Sequence, residues 1–465
     1  MTASGSREQS ALFGILLLAA GVRISMLFLF QGHGLTIWDE RDYDKLATSI
    51  TERGEFAYES GRPVAIRPPL YPALVAVLYG AFGLHSYQAV RLCQILLSLG
   101  TLLLVYDLGA RLFCKRIGLW AAGWYALYPS LILYCGLILT ETLFTFLLVL
   151  FLWMLSRAVD HGSWRRLLIA GVILGLAALT RSVLWLFSVP LGLLLLFYWP
   201  GSVVRRITAA AVLAIAFAMT LAPWAIRNTL LEDTFVAVDT MGGRNLMMGN
   251  YEHTPFARAW ATIAIEGDDS WHRVLHRKHP EAAIMSQGQI DKLALREGIL
   301  YAANHPWLTL QRDLVKLVAF WGLERELVAG VTHESFGKWS APATVAFALV
   351  VMGAYAATIL LVVFGVLLVP ANNRFLLILI VTTVAYVCAL HTLSFGHSRY
   401  HLPLMPLLFP FAAAACVGRK EIWQKRGTRV FCVAVFFVSA MLVAWVAEAA
   451  IQDWDRIVKI LCGVI

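Results

Sequence analysis

Charge is the scarcest thing in this sequence. Of its 465 residues only 14% are Asp, Glu, Lys or Arg, while 59% are hydrophobic; a soluble globular chain is about a quarter charged. That shortage excludes a soluble fold, because no soluble core buries so large an apolar share. Runs of about twenty apolar residues recur along the chain, as in proteins that satisfy their backbone inside lipid. Cysteine patterning is missing too. Cys93, Cys114, Cys135, Cys388, Cys416, Cys432 and Cys462 stand singly, with no C-x-x-C pair. They read as small buried hydrophobes, which argues against a disulfide framework or a zinc site. The first apolar run, 11–30, lacks a small-residue cleavage site and reads as a retained helix. No internal repeat is seen, against the inverted-repeat transporter folds. Gly242-Gly243 lacks the strand–loop–helix setting of a nucleotide fingerprint.

What is present is a basic excess, with a formal net charge of +9. In a soluble chain this would point to nucleic acid. Here the basic residues gather between apolar runs. Eleven runs read as spans: 11–30, 90–106, 117–135, 142–155, 167–184, 185–199, 207–226, 343–369, 375–393, 402–417 and 430–448. If the first span starts in the cytoplasm, every short basic loop falls inside, as the positive-inside rule requires. These loops carry Arg111, Lys115 and Arg116; Arg157, Arg165 and Arg166; Arg205 and Arg206; Arg374; and the cluster from Arg419 to Arg429. The charge therefore assigns the chain to a membrane and gives no role to nucleic acid.

The polar segments 31–67 and 227–340 then both lie outside. The chain divides into an N-terminal transmembrane module, 1–226, with a first outer loop at 31–89, a large outer loop, 227–340, and a C-terminal transmembrane module, 341–465. The run 69–82 is apolar but short and opens on Pro68-Pro69. As a span it would reverse every later loop, so an interfacial or re-entrant helix is expected. A second surface helix is expected at 314–321, with Arg312, Asp313 and Lys316 on its polar side. The expected fold class is an all-α polytopic membrane bundle.

Chemistry has few places to sit, and they share one face. W-D-E-R-D-Y-D, 38–44, follows the first span. A carboxylate such as Asp39, or its neighbour Glu40, can take a proton from a hydroxyl as a general base. Asp39 can equally begin a surface helix with acids in its first turn. Arg67 precedes Pro68-Pro69, which holds its backbone extended. A guanidinium fixed there suits phosphate oxygens; the plainer role is snorkelling. Glu141, at the outer end of a span, is unfavourable without a partner or a job, and Arg181 is the candidate partner. His397 and Arg399, in H-S-R-Y-H at 397–401, can bind a phosphate or orient a leaving group, or anchor headgroups with Tyr400. His272, His276 and His279 lack a third ligand type, so no metal is assigned to them.

The order of these stretches is more telling than any one of them. The acidic stretch 38–44 is followed by R-P-P-L-Y-P (67–72), T-E-T-L-F (140–144), L-T-R-S (179–182), P-W-A-I-R-N (223–228), M-G-G-R-N-L-M-M-G-N (241–250) and H-S-R-Y-H-L-P-L-M-P (397–406). Together they resemble the protein mannosyltransferase and aminoarabinose transferase branch of the GT-C membrane glycosyltransferases.

The resemblance implies a bundle of about 11 transmembrane helices with two long extracytoplasmic loops carrying interfacial helices. It implies a sugar donor on a polyprenyl phosphate, its tail among the membrane lipids, and a lipid, glycan or protein acceptor. Asp39 would be the catalytic or acceptor-orienting carboxylate and Glu141 a second acid. Arg67 would hold the donor phosphate, with Arg399, His397 and Arg181 assisting. No cofactor is assigned, and a divalent metal stays open. The implied location is a bacterial inner membrane, with the site facing the periplasm. Glu40, Asp42 and Asp44 leave open which acid acts. The rival readings are a secondary transporter and a lipid-binding membrane scaffold.

Overall fold

The computed structural model describes residues 3–32, 34–332 and 336–453. His33, residues 333–335 and residues 454–465, Cys462 among them, lie outside the described residues. Almost everything described is helix, as it must be where lipid offers the backbone no partner.

The first half runs α1 (Ala3–Leu29), α2 (Trp38–Arg53), α3 (Leu70–Phe82), α4 (Tyr87–Leu112), α5 (Lys115–Leu127), α6 (Pro129–Tyr134), α7 (Glu141–His161), α8 (Trp164–Ala178), α9 (Ser188–Tyr198) and α10 (Val203–Glu232). A small antiparallel hairpin, β1 (Ala57–Glu59) with β2 (Arg62–Pro63), lies between α2 and α3. The polar middle contains α11 (Gly242–Gly249), α12 (Trp271–Lys278), α13 (Gln287–Asn304), α14 (Pro306–Phe320) and α15 (Glu326–Thr332). It closes a small core of its own around Met247, Tyr251, Val274, Leu275, Ile290 and Ala294. Then come α16 (Ala341–Leu368), α17 (Arg374–Ser394), α18 (Met405–Val417), α19 (Arg419–Gln424) and α20 (Arg429–Glu448).

Among the described residues eight helical stretches are long and apolar enough to cross a bilayer, and the chain is a multi-pass membrane protein. They are α1, α4, α7, α10, α16, α17, α18 with the turn before it, and α20. The other three runs read as spans form shorter helices. Residues 117–135 divide at Pro129 into α5 and α6, 167–184 hold α8 and a 3-10 turn, and 185–199 hold α9. Proline removes the N–H that would continue α5, which ends it. The run 69–82 forms only the 13-residue α3.

Close approach of α8 and α10 depends on Gly171 and Gly175, one turn apart. A Cβ at either would come within 2.7 Å of Ala216 or 2.5 Å of Thr220; small residues at such crossings let membrane helices pack.

The basic loops gather at one end of the bundle. Arg111 pairs with Asp160, Asn373 Nδ2 donates to Asp160 at 3.3 Å, Asn372 N donates to Leu112 O at 2.8 Å, and Lys425 Nζ donates to Leu368 O at 2.6 Å.

Arg23 is a charge buried within the first span. It donates to Ser98 Oγ at 2.8 Å, Ala126 O at 2.9 Å and Tyr125 O at 3.1 Å. Pro129 has no N–H for the Tyr125 carbonyl, so the guanidinium takes the place of the missing helical donor.

The helix expected at 314–321 begins earlier, as α14, and its orientation differs from the expectation. Arg312 and Lys316 face inward and are buried. Arg312 donates to Tyr251 O and Thr254 O, each at 3.0 Å. Lys316 donates to Asn250 Oδ1 at 3.1 Å and Leu393 O at 3.4 Å. Trp307, Leu310, Leu314 and Leu317 face outward. Backbone carbonyls of the polar middle draw Arg312 inward, while Lys316 is drawn by the Asn250 amide oxygen and the Leu393 carbonyl and pairs with Asp313 at 3.0 Å. Lys316 ties this helix to the end of α17, and its carbonyl abuts Gly396, whose φ of 63° leaves no room for a Cβ there.

Candidate active site

At the end opposite the basic loops, several parts of the chain converge on one ion-pair network. Asp39 and Asp42 come from α2, Arg67 from the stretch before α3, Glu141 from the first turn of α7, and Arg399 from the turn leading into α18. Arg67 Nη2 donates to Asp39 Oδ1 and to Asp42 Oδ2, each at 2.8 Å. Arg399 Nη1 donates to the other oxygen of Asp39 at 3.1 Å, and its Nε donates to Glu141 Oε1 at 2.6 Å. Arg181 Nη1 reaches the same Glu141 oxygen at 3.2 Å. The Glu141 side chain is 1% exposed, and its Oε2 has no protein partner. Asp39 is therefore gripped on both oxygens by guanidiniums, and Arg399 bridges Asp39 to Glu141.

The network is tuned by burial and by charge. Burial pushes the Asp39 carboxyl up, but Arg399 and Arg67 outweigh it and hold the group below the usual carboxylate value. Tyr43 lies with its ring 5.6 Å from the Arg67 guanidinium, and burial drives its hydroxyl up to about 12. His397 lies at the edge, its Nδ1 3.7 Å from Glu326 and accepting the Arg399 N–H at 3.1 Å. Burial lowers its affinity for a proton.

Glu40 has a different surrounding. Its Oε2 accepts from Thr36 N and Ile37 N, both at 3.1 Å, and its Oε1 accepts from Ile138 N at 2.9 Å. The carboxylate thus caps the start of α2 and clamps it to the non-helical stretch before Glu141. Two side chains of α4 hold that stretch from the other side. Arg91 Nε donates to Gly136 O at 2.8 Å, and Gln94 Nε2 donates to Cys135 O at 3.0 Å and Leu137 O at 2.8 Å. Buried side chains thus fix where Glu141 begins α7. Glu40→Gln puts an amide N–H against those backbone donors. It is expected to cost about 1–3 kcal/mol of stability, read as a lower thermal midpoint. Lost turnover with an unchanged midpoint would instead make Glu40 a participant in chemistry.

Two acids of this neighbourhood were not singled out from sequence. Glu326, opening α15, reaches Arg399 Nη1 at 3.4 Å. Asp239, in the loop after α10, accepts the Met241 N–H at 3.1 Å, and burial raises its carboxyl to about 6. Its loop is tied to the Arg67 segment by Thr240 N donating to Ala65 O at 3.0 Å. Among the described residues no group of three His, Cys, Asp or Glu side chains is placed to hold a metal ion. His272 and His276 do share a face of α12, with ring centroids 4.3 Å apart.

The helical membrane bundle, with a charged cluster at one end built from the first loop, the start of α7 and the turn before α18, shares its fold with a solved oligosaccharyltransferase. The structure resembles the apo oligosaccharyltransferase of Archaeoglobus fulgidus with a TM-score of 0.51 at 14% identity, over 95% of this chain and 55% of that one. The chain thus spans about half the length of that protein. ArnT from Cupriavidus metallidurans bound to undecaprenyl phosphate is similar at a TM-score of 0.41 and 14% identity, over 90% of this chain and 79% of that one. Residues 66–226 match the family described as dolichyl-phosphate-mannose-protein mannosyltransferase. No curated protein matches the chain.

Proposed function

We propose that this protein moves a sugar from a polyprenyl-phosphate donor to an acceptor hydroxyl at the extracytoplasmic face of a bacterial inner membrane. The observation that carries the reading is the position of Asp39, with one oxygen on Arg67 and the other on Arg399. A carboxylate so held is ionised but weakly basic. The donor phosphate competes for the same guanidiniums, because their forks match its oxygens. Binding it draws Arg67 and Arg399 away from Asp39 and restores basicity to that carboxylate when an acceptor arrives.

The acceptor oxygen then attacks the anomeric carbon, and its proton passes to Asp39. The bond from that carbon to the phosphate oxygen breaks, and its electron pair leaves with polyprenyl phosphate. Arg67 and Arg399 stabilise the charge that develops there. Glu141 with Arg181 holds Arg399 in place. The outer loops, 31–89 and 227–340, carry the acceptor side, and the two transmembrane modules carry the lipid side. ArnT, solved with undecaprenyl phosphate, and the oligosaccharyltransferase, solved with an inhibitory peptide and a dolichol-phosphate, provide the lipid phosphates with which to begin.

The test uses purified protein in lipid nanodiscs, incubated with a panel of polyprenyl-phosphate sugars and hydroxyl acceptors, and follows released polyprenyl phosphate. Asp39→Asn is expected to lower turnover at least about 10²-fold with donor binding retained. Equal turnover by the variant removes Asp39 from the chemistry. Neither turnover nor donor binding by wild type sinks the reading altogether.

A further inference from the structure

Below the ion-pair network lies a second polar cluster that the proposed chemistry does not use. His401 is 0% exposed and Glu324 7% exposed. His401 Nδ1 is 2.6 Å from Phe320 O. A carbonyl can only accept, so Nδ1 carries the hydrogen. That leaves Nε2, 3.3 Å from Glu324 Oε1. A bare nitrogen lone pair facing a bare carboxylate would be repulsive, so a proton belongs between them. Tyr128 donates to the same Glu324 oxygen at 2.8 Å, and Ser130 donates to the other. The imidazole lies nearly parallel to Tyr355, with centroids 4.6 Å apart, and to Trp321 at 6.0 Å. Aromatic faces beside the ring favour its cationic form. Arg325, next to Glu324 in the chain, pairs with Glu448, and His397 interacts electrostatically with His401.

The placement of this pair in the chain gives it a role. His401 follows Arg399 by two residues, and Glu324 precedes Glu326 by two. Arg399 and Glu326 are themselves paired at 3.4 Å. Two ion-pair contacts therefore join the same two chain segments, one in the site and one beneath it.

We infer that His401 and Glu324 share one buried proton and act as positioning residues that hold Arg399 and Glu326 in the site. The proton-sharing half stands on geometry alone. The positioning half rests on the transferase reading.

The experiment keeps the two apart. Full-length protein carrying ¹⁵N-histidine is placed in nanodiscs, and solid-state NMR reads which imidazole nitrogens carry or share a proton. Wild type is expected to retain an imidazolium or shared-proton signal that Glu324→Gln removes, because the amide can donate to Nε2 itself. A wild-type spectrum without such a signal overturns the proton-sharing claim and needs no variant. A persistent signal unchanged in folded Glu324→Gln overturns it as well.

In the turnover assay, Glu324→Ala is expected to lower kcat about 10²-fold, as misplacement of a reacting geometry does. Glu324→Gln, whose amide N–H faces Nε2 and whose single carbonyl oxygen still accepts from Ser130, should recover part of that loss, with donor KM nearly constant throughout. Unchanged kcat in folded Glu324→Ala overturns the positioning role. If wild type turns over no donor, the transferase reading fails and the positioning claim falls with it. The NMR result then still decides the proton.

Discussion

Arg399→Met is expected to lose turnover by about 10³-fold and to lose about 3 kcal/mol of stability. The two losses have different origins. On the proposed mechanism, turnover falls because the guanidinium that would stabilise the leaving phosphate is gone. Stability falls because Asp39, Glu141 and Glu326 all contact Arg399, and its removal leaves three carboxylates close together. Glu141 is affected most: it is almost fully buried, and only Arg181 still neutralises it. Adding Glu141→Gln to Arg399→Met should therefore restore most of the thermal midpoint without restoring turnover. Tryptophan-fluorescence melts and the polyprenyl-phosphate release assay on the same nanodiscs separate the two effects. Recovery of both in the double variant would mean that Arg399 only neutralises Glu141.

Arg23→Leu should be among the most destabilising single changes outside the site. The guanidinium satisfies two carbonyls and a hydroxyl at the break between α5 and α6. Leucine leaves the Tyr125 and Ala126 carbonyls without a donor in apolar surroundings, at about 1–3 kcal/mol each. The expected outcome is a clear drop in thermal midpoint and in yield from the membrane. Turnover per folded molecule should change little, because Arg23 has no bond to the charged network. An unchanged midpoint would show that α5 and α6 rearrange to satisfy themselves.

Much of the architecture was legible because apolar run length and loop charge are local sums. The short run at 69–82 shows this, as its length, its Pro68-Pro69 start and the charge of the later loops argued against a span, and the structure has only the 13-residue α3 there. Spacing also put Asp39, Arg67, Glu141, Arg181, His397 and Arg399 at one membrane face. The pairings among them were less legible, since a sequence does not say which guanidinium reaches which carboxylate. Glu40 and Asp39 are adjacent acids, and only the fold gives one to backbone N–H groups and the other to two arginines. Glu326 lies in a long polar segment with no motif around it. Arg23 is a single charge in an otherwise ordinary first span, and its use depends on Pro129, more than a hundred residues away. Arg312 and Lys316 suggested a polar outer side to their helix because composition cannot show that the partners lie inside.

That inward turn of α14 bears on how the protein is handled. Its outward row of Trp307, Leu310, Leu314 and Leu317 is apolar and exposed, a surface that lipid beside it would cover. Its inner surface rests on Gly396, the residue before His397. Lateral pressure on the leucines is therefore transmitted, through one helix thickness, to the turn that carries Arg399. Stripping away the surrounding phospholipid during extraction removes that lateral support from the turn, although no bond in the protein is broken.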